Sequence, residues 1–128
     1  MRCLLDSHTL LWYTLDDPQL SKTAESLILD PTNEIFTSPA SYWEIAIKVS
    51  IGKLELHSPF GEFVDVCLNK YGFRILPIEP KHAAALIDLP FHHRDPFDRM
   101  LIAQAMMESV QIIGNDRAFD AYSVKRLW

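Results

Sequence analysis

Asp6, Glu44, Asp98 and Asp116 are the residues of this chain best suited to do chemistry. Each stands where a buried apolar run ends or where an apolar helix begins. They are far apart in sequence, yet a parallel α/β fold brings the ends of its strands to one edge of one sheet. Carboxylates gathered at such an edge can hold a divalent cation against a phosphate.

Each acid taken alone has a structural explanation. Asp6, Asp95 and Asp116 can cap helices. Glu44 can pair with Lys48 one turn on. Asp98 lies at the third helical position after Asp95, where a negative charge suits the helix dipole. The combination says more. Asp98 shares its helical face with Leu101, Ile102, Ala105 and Met106, so it looks inward. Arg99 points off that face. Glu44 lies among Tyr42, Trp43, Ile45, Ala46, Ile47, Val49 and Ile51. A carboxylate against packed hydrophobes costs several kcal/mol unless its charge is compensated. Several together repel one another and their pKa values rise. Mg²⁺ or Mn²⁺ removes that penalty and can activate water for in-line attack on a phosphodiester.

Other chemistries have less support. His92 and His93 with Asp95 lie in one loop, without the ligand spacing of a zinc site. The chain has only four glycines and no G-x-G-x-x-G. Ser7 and His8 adjoin Asp6, but adjacency makes no triad; Ser7 supports the acids through hydrogen bonds. Trp12, Tyr13, Trp43, Phe97 and Phe119 are assigned to the core. Lys48, Lys53, Arg94, Arg99 and Arg117 flank the acids. They are either ordinary surface charge or a rim of cations touching phosphates beside the scissile bond.

The elements that must position these residues can be read along the chain. Arg2–Leu5, Glu34–Thr37, Arg74–Ile78 and Val110–Ile113 read as buried strands, with an edge strand within Val124–Trp128. Helices are expected over His8–Leu15, from Ser21 to Leu29, from Ala40 to Ile51, from Ser58 to Gly72, over Lys81–Leu89 and over Phe97–Met107. A short helix follows Asp116. Strands alternating with helices predict an α/β fold, a three-layer α/β/α sandwich around a central, mainly parallel sheet of four or five strands. No linker or repeat marks a boundary, so 1–128 reads as one domain.

The 128 residues are 48% hydrophobic, enough for one core. The net charge of −5 argues against binding nucleic acid through bulk charge, though bound cations reverse the local field. No apolar run reaches the ~20 residues of a membrane span. The apolar stretch after Met1-Arg2 is too short for a secretory signal, so a cytoplasmic protein is expected. Cys3 and Cys67 fall in apolar patterns and read as small buried hydrophobes.

Four segments of the chain resemble the PIN-domain family, and within it the VapC-type ribonuclease toxins: Leu4-Leu5-Asp6-Ser7-His8; Ser41-Tyr42-Trp43-Glu44-Ile45-Ala46-Ile47-Lys48; His93-Arg94-Asp95-Pro96-Phe97-Asp98-Arg99-Met100-Leu101-Ile102-Ala103; and Asn115-Asp116-Arg117-Ala118-Phe119-Asp120. The resemblance implies a Mg²⁺- or Mn²⁺-dependent endoribonuclease with Asp6, Glu44, Asp98 and Asp116 as its four acids. It also implies an RNA substrate, a homodimer and a small cognate antitoxin that covers the pocket and a neighbouring apolar groove. Asp95 is either a cap or an acid just outside the ligand set. Asn115 stands where the family often has Ser or Thr. Two other readings remain: a PIN-like interaction module without catalysis, and a phosphate-accepting receiver. The receiver needs paired acids after the first strand and a lysine after the last, and Asp6 stands alone with no lysine near Asp116.

Overall fold

Five short strands make the centre of the molecule: β1 (Arg2–Leu5), β2 (Glu34–Thr37), β3 (Arg74–Ile75), β4 (Gln111–Ile113) and β5 (Arg126–Leu127). The computed structural model describes residues 1–128. All four strand pairings are parallel and the order is β3-β2-β1-β4-β5. The chain builds outward from β1 to β3, then returns to the other side of β1 for β4. The strand order therefore reverses between β1 and β4, the place where α/β sheets open a crevice beyond their strand ends.

Side-chain alternation divides the core in two. Cys3, Leu5, Ile35 and Ile113 face one layer, packed with Leu10 and Leu11 of α1 (Ser7–Thr14), Ala24 and Ile28 of α2 (Lys22–Leu29), Tyr42 and Ile45 of α3 (Pro39–Ser50) and Phe63 of α4 (Phe60–Asp65). Leu4, Phe36 and Ile112 face the other layer. There they meet Leu89, just beyond α5 (Pro80–Ile87), and Leu101, Ile102 and Ala105 of α6 (Pro96–Glu108). With both faces covered, the central strands can be continuously apolar, as they are here. Leu101 and Ile102 are fully buried, each stabilising the fold by roughly 1.5–3 kcal/mol through transfer from water.

The expected three-layer architecture holds, and the sheet is wholly parallel. Some boundaries differ for local reasons. The third strand stops at Ile75, with one further bond from Leu76 N–H to the Thr37 carbonyl, because Pro77 has no N–H to continue the ladder. The helix expected from Ser58 begins at Phe60 and loosens into a π turn over Val66–Lys70 before Gly72, whose φ of 72° suits only glycine well. The element after Asp116 is a 3₁₀ turn, Arg117–Ala121. Met106, placed on the inward face of α6 by periodicity, is exposed. Trp43, assigned to the core, is 64% exposed and packs edge-on against Phe97. No helix is long and apolar enough to cross a membrane.

Candidate active site

The site lies at the carboxyl edge of the sheet, where β1 and β4 part. Asp6 leaves β1 with its N–H bonded to the Ile113 carbonyl of β4 (3.1 Å), which fixes the two strand ends together. Thr9 reinforces that joint by donating its hydroxyl to the same carbonyl. Asp6 also caps α1, its Oδ1 accepting the Thr9 N–H at 2.8 Å. Asp116 repeats the device after β4, its Oδ1 accepting the Ala118 N–H at 2.9 Å. Capping and site chemistry are therefore not alternatives for these two acids. Each commits one oxygen to a helical turn, and the cap bond holds the carboxylate in place while leaving the other oxygen for the pocket.

Gly114 makes this geometry possible. A Cβ at that position would stand 2.7 Å from Oδ2 of Asp6. Only a glycine lets the β4 backbone pass so close to the carboxylate.

Asp98 arrives from the first turn of α6, which is anchored by Asp95: Oδ1 of Asp95 accepts the N–H groups of Phe97 (2.9 Å) and Asp98 (3.0 Å). Asp95 is thus the cap, and its charge bears on Asp98. Glu44 comes from α3 and is buried, with Oε2 3.2 Å from Lys48 Nζ. Ser7 and Ser41 are both buried, and the Ser7 hydroxyl donates to that of Ser41 (3.0 Å), joining α1 to α3 beneath Asp6 and Glu44.

The acids act on one another's protonation. Asp98 is pushed up to about 7, first by burial, then by the charges of Asp95 and Asp6, with Glu44 adding and His93 opposing. Asp6 is raised as well, by burial against its hydrogen bonds from Thr9, with Asp116 adding to the rise. Lys48 pairs with Glu44, and His93 and His8 oppose the rise at Asp98 and Asp6 respectively. Burial and mutual repulsion still leave both carboxyls raised, so these acids carry more negative charge than their neighbours offset. Oxygen donors with such an excess suit a hard divalent cation, Mg²⁺ or Mn²⁺.

Among the flanking cations, Arg99 departs from the sequence reading. Arg99 is no surface cation. It is buried, and its guanidinium turns back under the loop before α6 to donate to the carbonyls of Leu86, Leu89, Pro90 and His93, with its Cζ 3.9 Å from the centre of the Phe91 ring. The planar fork of arginine suits several carbonyls at once, which outweighs its preference for water. It cannot serve in a phosphate-binding rim. Lys48 is held by Glu44. Lys53, Arg94 and Arg117 are exposed, as is Asn115, and of these cations Arg117 stands next to Asp116.

His93 is the residue that spacing did not single out. Its Nε2 lies 3.0 Å from Oδ2 of Asp98 and 2.9 Å from Oδ2 of Asp116. The three ligand atoms of His93, Asp98 and Asp116 form one close group. Within its loop the histidine pair lacks a zinc spacing, whereas His93 meets its partners across the fold.

With this geometry in view, relatives can be compared. The sequence profile of the PIN domain matches residues 3–125. Ribonuclease VapC22 of Mycobacterium tuberculosis is 27% identical over 115 residues, covering 89% of this chain and 86% of that protein. Among solved structures, VapBC2 from Rickettsia felis, bound to a DNA fragment from its promoter, superposes with a TM-score of 0.74 at 14% identity, covering 99% of this chain and 98% of its own. VapBC-1 from nontypeable Haemophilus influenzae gives 0.73 at 14% identity, over 99% and 97%. At such identity the structures speak for the fold. The profile match over nearly the whole length places this chain in the PIN domain family.

Proposed function

We propose that this chain is a divalent-metal-dependent endoribonuclease, the toxin of a toxin–antitoxin pair. The observation that carries the reading is that Asp98 feels the charges of Asp6 and Glu44, and Asp6 that of Asp116, with the Asp98 and Asp6 carboxyls both raised despite Lys48, His93 and His8 nearby. The similarity to a protein named as a ribonuclease supports RNA as the substrate. The toxin–antitoxin complexes among its structural neighbours support a small antitoxin partner. A homodimer working in the cytoplasm completes the proposal.

Asp6, Asp98 and Asp116 each present an oxygen to hold the ion, Mg²⁺ or Mn²⁺. The bound ion would polarise the phosphodiester and lower the pKa of a coordinated water. Glu44, with Oε2 tied to Lys48, would orient a water for in-line attack. No side chain acts as a nucleophile. Asp95 keeps α6 in register so that Asp98 enters the pocket, and Ser7 keeps α1 and α3 together below it.

The test is cleavage of a mixed RNA by purified protein. Cleavage is expected with Mg²⁺ or Mn²⁺, abolished by chelator, and absent in a folded Asp6→Asn variant. Unimpaired cleavage by Asp6→Asn at matched metal would remove the proposal. Failure of Mn²⁺ to bind near neutral pH would favour a PIN-like interaction module instead.

A further inference from the structure

His93 is held too firmly, and in too particular a tautomer, to be a passive neighbour of the acids. Its Nδ1 accepts the N–H of Asp95 at 3.2 Å, so the ring proton of the neutral imidazole sits on Nε2. That Nε2–H is shared between Asp98 and Asp116. The ring packs against Phe119. Its own N–H donates to the Tyr122 hydroxyl at 2.8 Å, and that hydroxyl donates to the Pro90 carbonyl at 2.6 Å. Arg99 ties down the carbonyls on either side, those of Pro90 and His93. A buried guanidinium and a buried tyrosine thus fix the one loop that carries a hydrogen-bond donor into the acidic pocket.

We propose that His93 is a further catalytic residue of the nuclease site, its Nε2–H donating a hydrogen bond to a non-bridging oxygen of the scissile phosphate. This rests on the nuclease reading above. Apart from Lys48, which Glu44 holds, the acids around His93 offer only acceptors, and a phosphodiester is itself an anion rich in acceptors. Cleavage raises the negative charge on the phosphoryl oxygens, so a fixed donor there acts most strongly in the transition state. The two carboxylate oxygens that now share the proton are the same ones offered to a cation. A cation held by those oxygens would leave the Nε2–H free for a phosphate oxygen. His93 keeps its proton throughout. The tautomer argues against the imidazole as a ligand, because coordination through Nε2 would require the proton to move to Nδ1 and would break the bond from Asp95.

The test combines single-turnover RNA cleavage with Mn²⁺ calorimetry on the full chain. His93→Ala should lower the cleavage rate roughly 100-fold, the usual effect of losing one such donor. His93→Gln, which retains an N–H, should recover about tenfold of that loss. Both variants should bind Mn²⁺ within about threefold of the parent affinity. If His93→Ala does not fold, His93→Gln is compared with His93→Leu, which has similar bulk and no donor. Cleavage within about threefold of the parent in the donor-less variant would overturn the proposal, and so would a loss of Mn²⁺ affinity of about tenfold or more. Absence of metal-dependent cleavage in the parent protein would instead sink the nuclease reading itself, so the two failures are distinct.

Discussion

Asp98→Asn should make the metal-free protein more stable while destroying its activity. Burial and the charges of Asp95, Asp6 and Glu44 raise the Asp98 carboxyl to about 7 from an ordinary 3.8. A folded-state pKa above the unfolded one means that the folded protein binds the proton more tightly. Ionised Asp98 therefore weakens the fold, fully above pH 7, progressively less as pH falls, and not at all below about pH 4. Each pH unit between the two values corresponds to about 1.4 kcal/mol, which sets a ceiling of roughly 4 kcal/mol. Water on the open side of the pocket and the lost contact with His93 reduce the gain to about 1–2 kcal/mol at pH 8. For a chain of this size that is a rise in Tm of roughly 5 °C. The assay is thermal unfolding followed by circular dichroism, without metal, at pH 8 and pH 5. The variant should melt above the parent at pH 8, with a smaller difference at pH 5. Saturating Mn²⁺ should reverse the order at pH 8 by stabilising only the parent. A variant that melts lower than the parent at both pH values would refute the reasoning, because Asp98 would then be a stabilising partner of His93 and not a strained acid.

Further outcomes follow from single contacts. Gly114→Ala should cut RNA cleavage by tenfold or more, since its new Cβ would displace the Asp6 carboxylate that Thr9 holds in place; unchanged kinetics would show that Asp6 can move at no cost. Arg99→Lys should destabilise the protein by roughly 2–4 kcal/mol in urea titration, because a lysine cannot reach the carbonyls of Leu86, Leu89 and Pro90 together. Ser7→Ala should cost about 1 kcal/mol of stability by leaving the buried Ser41 hydroxyl without its donor. A loss no larger than that of an exposed serine would show that the joint between α1 and α3 contributes nothing.

The parallel sheet was legible because its strands are short apolar runs separated by helical periodicity, the pattern of a sheet covered on both faces. The acids were legible for a related reason. Asp6 and Asp116 stop buried strands, and Asp98 and Glu44 interrupt apolar helical faces. What could not be read was whether a cap could also serve the pocket; the two oxygens of Asp6 and Asp116 do both. His93 escaped because its meaning depends on the path of the Leu89–Asp95 loop, which is set by Arg99. Arg99 escaped in turn because arginine is ordinarily a surface residue, and only the loop's converging carbonyls make its burial favourable. Trp43 was misplaced because the apolar face of α3 is wider than the surface it covers, and an aromatic at its margin has the same periodicity as one in the core. Gly114 looked like a turn glycine, whereas its need arises from a carboxylate more than a hundred positions earlier, Asp6.

The most direct measurement is diffraction from crystals grown with Mn²⁺, using the anomalous signal of the metal to place it. A peak within ligand distance of the free oxygens of Asp6, Asp98 and Asp116, about 2.1–2.2 Å from each oxygen it binds, is the result expected. Ordered crystals with Mn²⁺ at saturating concentration and no peak among these three acids would contradict the shared-ion site on which the proposed activity rests.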